Sequence, residues 1–265
     1  MNAGALAIIL ARAGSRGVPG KNVIDIAGRP CIAWTIDHAL GARSISSVLV
    51  SSDDANALRI AEEMGCATVS RPADLASDTA RVDAAARHAL LEAETDPAML
   101  GRAGRIERDV RPVWTGPIVV LYANVPVRPP GLIDRAVELL LSAGCDSVQS
   151  YQEVGKNHPW WTARLDQGGR VSPWEGDVLN HGVFRRQDLP PAYVPDGAVI
   201  ALSRAALMLE IPGVAAGPHA FFGKDRRGVI SPEGSVVDID APIDAVVARA
   251  ILQNGTDEKR AVSGG

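Results

Sequence analysis

The sequence predicts an α/β fold built on a doubly wound, mostly parallel sheet with a small protruding arm. Uninterrupted apolar segments bounded by turn residues alternate with longer segments of helical period, which is the pattern of βαβ units. Because the apolar segments are continuous, they indicate strands buried on both faces, as in parallel sheets. The 265 residues are 46% hydrophobic and 22% charged. This composition suffices for a full core and excludes a disordered or fibrous chain.

The predicted elements follow this alternation in chain order. The strands are short, continuously apolar segments, at residues 6–10, 47–50, 67–70, 117–122, 147–151, 198–202 and 236–239. The helices carry apolar residues at helical spacing, over residues 31–42, 55–64, 81–93, 130–143 and 245–252. Asp53 or Asp54 is expected to cap the helix that begins at residue 55, with a place in a ligand cleft as the alternative.

The regular pattern is interrupted twice and divides the chain. Residues 95–115 mix glycine, proline and charged residues without a period, which predicts a surface excursion or a small extra element between a helix and the next strand. Residues 156–192 are rich in Trp, Pro, Gly and His and predict an irregular arm that packs on a neighbouring copy. We therefore expect an α/β domain from 1–155 and 193–253, a dimerisation arm at 156–192 and a flexible tail at 254–265.

Composition excludes several classes of protein. The 27 Lys and Arg residues against 31 Asp and Glu give a net charge of −4, so no positive field attracts nucleic acid. Cys31, Cys66 and Cys145 are widely spaced, which predicts neither a disulfide framework nor a zinc site and fits a reducing cytoplasm. No apolar segment approaches the ~20 residues of a membrane helix, so no membrane partner is expected.

A glycine-rich loop follows the first predicted strand, from Leu10 to Asn22. Loops at this edge of open α/β sheets bind ligands, and glycines let backbone N–H groups approach phosphates. Its glycines, at positions 14, 17 and 20, form no GxGxxG pattern, and Lys21 is not followed by Ser or Thr, so dinucleotide and P-loop sites are disfavoured. Arg12, Arg16 and Lys21 supply three cations suited to a triphosphate, and a solvated basic turn is the alternative.

Two carboxylates flank Ile239 in the last predicted strand. On a strand, Asp238 and Asp240 would point to the same face about 7 Å apart. Such a pair can hold Mg²⁺ near a triphosphate, because hard cations take carboxylate and phosphate oxygens together. An exposed strand end with two solvated acids is the alternative.

Four segments in order resemble the acylneuraminate cytidylyltransferases. They are ILARAGSRGVPGKN at 9–22, VSSDD at 50–54, RPADLASDT at 71–79 and VDID at 237–240. The resemblance implies a Rossmann-like nucleotidyltransferase fold and a homodimer. It also implies a Mg²⁺-dependent reaction, in which CMP passes from CTP to a carboxylated, sialic-acid-like sugar with release of pyrophosphate.

The same resemblance implies roles for individual residues. Arg12 and Lys21 would bind the triphosphate, while Asn22 and Arg71 would read cytosine with their donors and acceptors. Asp238 and Asp240 would bind the metal. Arg12, Lys21 and Asp240 would be the catalytic residues, and whether Asp240 acts as base or only as ligand is left open. The remaining implied nucleotide contacts come from the loop, at Leu10, Ala11, Gly14 and Ser15.

The acceptor side departs from the family pattern. The family's Leu-Gln-Pro-Thr-Ser-Pro-Leu-Arg is LYANVPVR at 121–128 here, so both polar positions differ. This change leaves open an octulosonate or phosphonate acceptor, and a non-catalytic CTP-binding protein is a further alternative. Arg186 is the candidate for the acceptor carboxylate because its planar fork matches two oxygens. The implied acceptor-binding residues are Tyr122, Asn124, Arg186, Asp196, Phe221 and Phe222.

Overall fold

The computed structural model describes residues 4–14, 17–96, 98–100 and 113–263, with side chains as far as residue 254. The strands are β1 (Ala5–Ala11), β2 (Asp25–Ile26), β3 (Arg29–Pro30), β4 (Ile45–Ser52), β5 (Ala67–Ser70), β6 (Ile118–Tyr122), β7 (Ser147–Glu153), β8 (Ala163–Leu165), β9 (Val171–Pro173), β10 (Tyr193–Leu202) and β11 (Arg226–Ile230). The helices are α1 (Cys31–Leu40), α2 (Ala55–Glu63), α3 (Ala73–Ala76), α4 (Val82–Ala93), α5 (Leu132–Ala143), α6 (Arg204–Leu207) and α7 (Pro242–Ser263).

The central sheet has seven strands in the order β11-β7-β10-β6-β1-β4-β5. Strand β10 runs antiparallel to both of its neighbours, and the other pairs are parallel. The predicted doubly wound, mostly parallel sheet is thus confirmed. Its parallel core brings the carboxyl ends of β1, β4, β5 and β6 to one edge, where ligands bind in open sheets of this kind.

The central strand β1 is buried on both faces, as its continuous apolar sequence predicts. Ala7 and Ile9 pack into one cluster with residues of α1, α2 and α5. Leu6 and Ile8 point to the other face and pack with residues of α4. Side chains alternate between the faces of a strand, so an uninterrupted apolar sequence serves both helix layers at once.

The helix α2 begins at a cap that the sequence indicates. The side chain of Asp54 accepts a hydrogen bond from the backbone N–H of Asn56 at 2.8 Å and caps the first turn. Asp53 has a different use, because its Oδ1 accepts a bond from the backbone N–H of Ala13 at 2.8 Å. The expected cap is therefore Asp54, and Asp53 holds the glycine-rich loop.

Two predicted elements differ from the structure in extent, and one strand was not predicted. The strand predicted at 236–239 is wrong in extent: it is an isolated antiparallel bridge between Val127 and Val237. The last helix continues to Ser263, so the tail predicted as flexible is helical as far as that residue. The sequence pattern misses β11, because Arg226 and Arg227 interrupt its apolar character. Much of the predicted excursion at 95–115 lies outside the described residues.

The segment 156–192 contains only short 3₁₀ turns and the small antiparallel hairpin of β8 and β9. Its tryptophans hold it together internally: Trp160 stacks on His181 with ring centroids 4.7 Å apart, and Trp161 Nε1 donates to the carbonyl of Val183 at 2.9 Å. Phe184 is 82% exposed. Within the described residues, no helix combines the length and apolarity needed to cross a bilayer.

Candidate active site

A cleft of about 300 Å³ opens at the carboxyl ends of β1, β5 and β6. It collects residues from segments that are far apart in the sequence. The predicted site residues that line it are Leu10, Arg12, Lys21, Asn22, Arg71, Tyr122, Asn124, Asp238 and Asp240. The cleft is therefore where most of the predicted nucleotide and metal residues meet.

The glycine-rich loop is held over this cleft by contacts of its backbone with Asn22 and Asp240. Asn22 is buried, and its Nδ2 donates to the carbonyl of Arg12 at 2.8 Å. Gly17 lies directly against the backbone carbonyl of Asp240, where any Cβ atom would overlap that carbonyl. This glycine is therefore required by a close approach between the loop and the carboxylate segment. Ser15 falls outside the described residues, and Ala11 and Gly14 belong to the loop region without lining the cleft.

Two cations of the loop have carboxylate partners across the cleft. Arg12 Nη1 lies 2.9 Å from Asp78 Oδ1 and 3.2 Å from the carbonyl of Ser77. Lys21 Nζ lies 2.6 Å from Asp240 Oδ1, with the Lys21 side chain 15% exposed. Because both cations border the cleft, they can bind phosphate oxygens there. Ser77 and Asp78 lie in the connection between α3 and α4.

The carboxylate pair lies on a segment that is fixed to the turn after β6. Val237 N donates to the carbonyl of Val127 at 3.3 Å, and Ile239 N donates to the carbonyl of Asn124 at 2.9 Å. Val237 and Ile239 are buried, so Asp238 between them and Asp240 after them face away from the core. The predicted alternation therefore survives although the segment forms only a bridge.

Asp238 is the more enclosed member of the pair. Asn124 Nδ2 donates to Asp238 Oδ1 and also to the carbonyl of Ile239 at 3.2 Å. Gly197 adopts a φ of +75°, and a Cβ there would lie 3.2 Å from Asp238 Oδ2. Burial, with the nearby charge of Asp240, raises the pKa of Asp238 to about 6. Asn124 therefore holds a carboxylate that lines the cleft.

The donor set of this pair fits Mg²⁺ that shares its ligands with a triphosphate. Among the described residues, no cluster of three or more His, Cys, Asp or Glu side chains forms a complete cation site. Mg²⁺ usually keeps only one or two protein carboxylates and takes phosphate and water oxygens for its other positions. Asp238 and Asp240, two carboxylates that line the same cleft, meet that requirement.

Arg71 enters the cleft from the end of β5 as a buried, fixed guanidinium. Its Nη2 donates to the carbonyl of Ser51 at 2.7 Å and its Nε to the hydroxyl of Ser51 at 3.2 Å. Burial lowers the pKa of Arg71, with Asp53 acting in the opposite direction. A guanidinium held in this way can present its remaining N–H groups to a base edge.

A second cavity of about 660 Å³ adjoins the cleft. Phe221 and Phe222 are buried in its wall, with ring centroids 4.1 Å apart. Tyr122 lines both cavities, and burial raises its pKa to about 12, so its hydroxyl stays protonated at neutral pH. These three predicted acceptor residues therefore line one cavity beside the cleft.

The structure places the other predicted acceptor residues elsewhere. Arg186 borders a separate cavity at the base of the arm, and its Nη2 lies 2.9 Å from both carboxylate oxygens of Glu233. Asp196 is buried, and its Oδ1 accepts bonds from Ser150 Oγ and from the backbone N–H of Ala198. Asn124 holds Asp238, as described above. None of these three lines the cavity of Phe221.

Sequence reasoning missed the residue that holds the turn after β6. Arg128 is fully buried and donates to the carbonyls of Ala198 at 2.7 Å and Tyr122 at 2.9 Å, and to Thr35 Oγ1 at 2.8 Å. Burial lowers its pKa to about 9. Arg128 is the last residue of the segment LYANVPVR that was compared with the family pattern, but that comparison does not indicate what the arginine does. Arg128 ties the turn after β6 to the antiparallel strand β10.

Comparisons with known proteins identify the family of this chain. A family model described as cytidylyltransferase matches residues 6–103. The chain is 38% identical over 251 residues to a pseudaminic acid cytidylyltransferase of Campylobacter jejuni, covering 94% of this chain and 96% of that protein. It is 30% identical over 207 residues to an N-acylneuraminate cytidylyltransferase of Streptococcus agalactiae. That match covers 77% of this chain and 45% of the relative, so the chain spans less than half of that protein's length.

The fold is shared with a solved nucleotide complex. The structure of CMP:2-keto-3-deoxy-manno-octonic acid synthetase with CTP superposes with a TM-score of 0.63 at 15% identity, covering 95% of this chain and 99% of that one. This likeness concerns the fold. The 38% identity to the Campylobacter relative, over 96% of that protein's length, shows that the chain belongs to the acylneuraminate cytidylyltransferase family.

Proposed function

We propose that this protein is a cytidylyltransferase, which transfers CMP from CTP to a sialic-acid-like nonulosonic acid. The observation that carries the proposal is the convergence of Arg12, Lys21, Asp238 and Asp240 on one cleft that adjoins a larger cavity. Relatives named for N-acylneuraminate and pseudaminic acid support the acceptor class. The two cavities give room for a nucleotide and a sugar acid side by side.

The proposed reaction is an in-line displacement at the α-phosphorus. The acceptor hydroxyl oxygen forms a bond to that phosphorus, and the bond from phosphorus to the oxygen bridging the β-phosphate breaks. Pyrophosphate leaves with the electron pair of the broken bond, and the hydroxyl proton is released. Arg12 and Lys21 bind phosphate oxygens and stabilise the charge that develops during the transfer.

Asp238 and Asp240 would hold Mg²⁺ together with phosphate oxygens. When bound there, the ion would neutralise charge on the reacting phosphates and help to align them. Asn124 fixes the orientation of the Asp238 carboxylate, because it donates to Oδ1 of that residue. Arg71 and Asn22 would bind the cytosine at the inner end of the cleft.

The same proposal includes a homodimer formed through the arm at 156–192. Its support is an unusual density of exposed apolar side chains on that segment, at Leu165, Val171, Trp174, Val178, Leu179 and Phe184. Apolar surface of this kind is stabilised when a second copy covers it. Three unpaired, buried cysteines fit a cytoplasmic location.

The proposal is tested by pyrophosphate release from CTP and Mg²⁺ in the presence of a panel of acceptors. The panel contains sialic, deaminated sialic, legionaminic, pseudaminic and octulosonic acids and small phosphonates. We expect release with at least one nonulosonic acid, and loss of that release when EDTA is added. Release with an octulosonate or a phosphonate alone would correct the acceptor class. If no acid or phosphonate of the panel gave pyrophosphate release while calorimetry confirmed CTP binding, the result would contradict the transfer reaction and favour a CTP-binding protein.

A further inference from the structure

The cleft and the larger cavity meet at a short wall that both share. The residues lining both are Ala80, Arg81, Val82 and Tyr122. Of the described residues in this shared wall, Arg81 is the only cation, and it immediately precedes α4. A group that sits in the larger cavity and reacts with an α-phosphate in the cleft would therefore lie next to these shared residues.

Arg81 is fixed by a buried carboxylate. Its Nε and Nη2 each lie 2.9 Å from one oxygen of Asp83, and Nη2 also donates to the carbonyl of Gly217 at 2.7 Å. Asp83 is 1% exposed, whereas the Arg81 side chain is 42% exposed. Among the described residues, Nη1 of Arg81 has no hydrogen-bond partner. Nε and Nη2 therefore fix the orientation of the guanidinium, and Nη1 is available to bind a ligand.

The charge around Asp83 leaves an excess of positive charge at the shared wall. Arg87 Nη1 also binds Asp83, at 2.8 Å from Oδ2, so one carboxylate is shared by two guanidinium groups. Burial alone would raise the pKa of Asp83, but the hydrogen bonds from Arg81 and Arg87 hold it below its ordinary value. Asp83 thus stays ionised and keeps both arginines in place, with one positive charge uncompensated.

The chemistry of the acceptor specifies where its carboxylate must lie. In a nonulosonic acid, the carboxylate and the hydroxyl that attacks phosphorus are attached to the same carbon. The carboxylate therefore stays within a few bonds of the reacting phosphate and reaches the boundary between the two cavities. Arg186 cannot meet it there within the same chain, because it borders a separate cavity and is paired with Glu233.

The other arginines of the larger cavity are engaged differently. Arg226 donates to the carbonyls of Gly223 at 3.0 Å and His219 at 3.1 Å and lies over the ring of Phe222. Arg227 is paired with Asp225 at 2.5 Å. Both line the larger cavity but not the nucleotide cleft. Among the described arginines that line the larger cavity, Arg81 is the one that also lines the cleft.

We infer that Arg81 binds the carboxylate of the acceptor and that Asp83 positions its guanidinium for that contact. The inference rests on the proposed function and assigns a specificity residue to it. Because Nε and Nη2 are engaged by Asp83 and Gly217, Nη1 is the atom that would donate a charge-assisted hydrogen bond to a carboxylate oxygen. A neighbouring phosphate is tolerated because the same cation offsets part of its charge. An acceptor without a carboxylate would leave this cation unmatched.

The test compares wild type, Arg81→Gln, Arg81→Lys and the surface control Arg59→Gln, whose arginine is paired with Glu63 on α2. The probe is the acid of the panel that gives the fastest pyrophosphate release, together with its methyl ester. We expect Arg81→Gln to raise KM for the acid about 10- to 100-fold, the range for losing a charge-assisted hydrogen bond. The affinity for CTP in calorimetry should change by less than about threefold, and the preference for acid over ester should fall.

The lysine variant and Asp83→Asn separate binding from folding. Arg81→Lys keeps the charge but loses the two-point contact with Asp83 that orients the side chain, so its KM should lie between those of wild type and Arg81→Gln. Asp83→Asn should raise KM for the acid more than it lowers kcat, because it loosens Arg81 without removing it. A general structural defect would instead reduce CTP affinity as well. If Arg81→Gln fails to bind CTP, the KM of Arg81→Lys decides the assignment.

The outcomes separate this inference from the proposed function. A KM for the acid within about twofold of wild type in Arg81→Gln, with wild-type turnover intact, would overturn the assignment of Arg81 alone. An inactive wild type that still binds CTP would overturn the proposed function and this inference with it. A KM effect equally large in Arg59→Gln would trace the change to overall charge and also overturn the assignment.

Discussion

The ammonium nitrogen of Lys21 lies 2.6 Å from Oδ1 of Asp240, although the two residues are 219 positions apart in the sequence. The contact joins the glycine-rich loop to the carboxylate segment across the mouth of the cleft. The phosphates of CTP would therefore compete with Asp240 for the Lys21 ammonium group. A cation bound to the carboxylates would weaken that competition, because it offsets the charge that holds Lys21.

The first prediction concerns Asp240→Asn. We expect pyrophosphate release to fall at least about 100-fold, because the variant loses a carboxylate that we propose binds Mg²⁺ at the reacting phosphates. CTP binding measured in EDTA should be retained, since Lys21 keeps its charge and loses its competitor. The matched control is Glu63→Gln, which removes an exposed carboxylate on α2. Near-normal turnover in Asp240→Asn would remove Asp240 from the metal site.

The second prediction concerns Arg71→Ala. The guanidinium is fixed by Ser51 at the inner end of the cleft, and cytosine and uracil differ in the donors and acceptors of their edges. We expect the ratio of kcat/KM for CTP over UTP to fall about tenfold or more, because the site loses the groups that distinguish them. The control is Arg43→Ala, an 84% exposed arginine. An unchanged nucleotide preference would exclude Arg71 from base recognition.

The third prediction concerns Phe184→Ser in the arm. Phe184 is 82% exposed, and an apolar ring of this size is typical of residues that dominate an interface. We expect wild type to sediment as a dimer and the variant to dissociate with a Kd raised about 30-fold or more. Leu91→Ser, at an exposed apolar position on α4, should leave the dimer unchanged. A monomeric wild type would contradict the dimer itself.

The fourth prediction concerns the acid stability of the fold. Burial, helped by the charge of Arg128, lowers the pKa of His38 from 6.5 to about 4, and among the described residues the buried Nδ1 of this ring has no hydrogen-bond partner. Between these two pH values the unfolded chain binds a proton at His38 that the folded chain does not bind. Stability therefore rises with pH across this window and is lost as pH falls from 6.5 towards 4.

The effect is measured by chemical denaturation at pH 7.5 and pH 5.0. We expect His38→Gln to lose less stability than wild type between these values, by roughly 1 to 2 kcal/mol for a partly screened group. A smaller background loss from carboxylates should be common to both proteins. Identical pH dependence in the two proteins would show that His38 titrates alike in the folded and unfolded chains.

Much of the fold is predictable because its signals are local. The continuous apolar segment that forms β1 and the helical spacing in α5 each lie within one element. The loop residues Arg12 and Lys21 follow β1 directly, and strand direction alone takes them to the ligand edge of the sheet. By contrast, β11 is stabilised by pairing with β7 at the sheet edge, and this pairing has no counterpart in its own sequence.

The sequence by itself determined the alternating elements, the family motifs and the residue types that meet at the nucleotide cleft. The tertiary structure alone decided that Asn124 supports Asp238, that Arg186 lies apart from the cleft and that Arg81 stands between the two cavities. The reason is physical: these relations depend on strand order and on contacts such as that of Asn124 with Asp238, 114 positions away. A residue's type and its near neighbours fix its chemistry, whereas the packing of distant segments decides which groups that chemistry can reach.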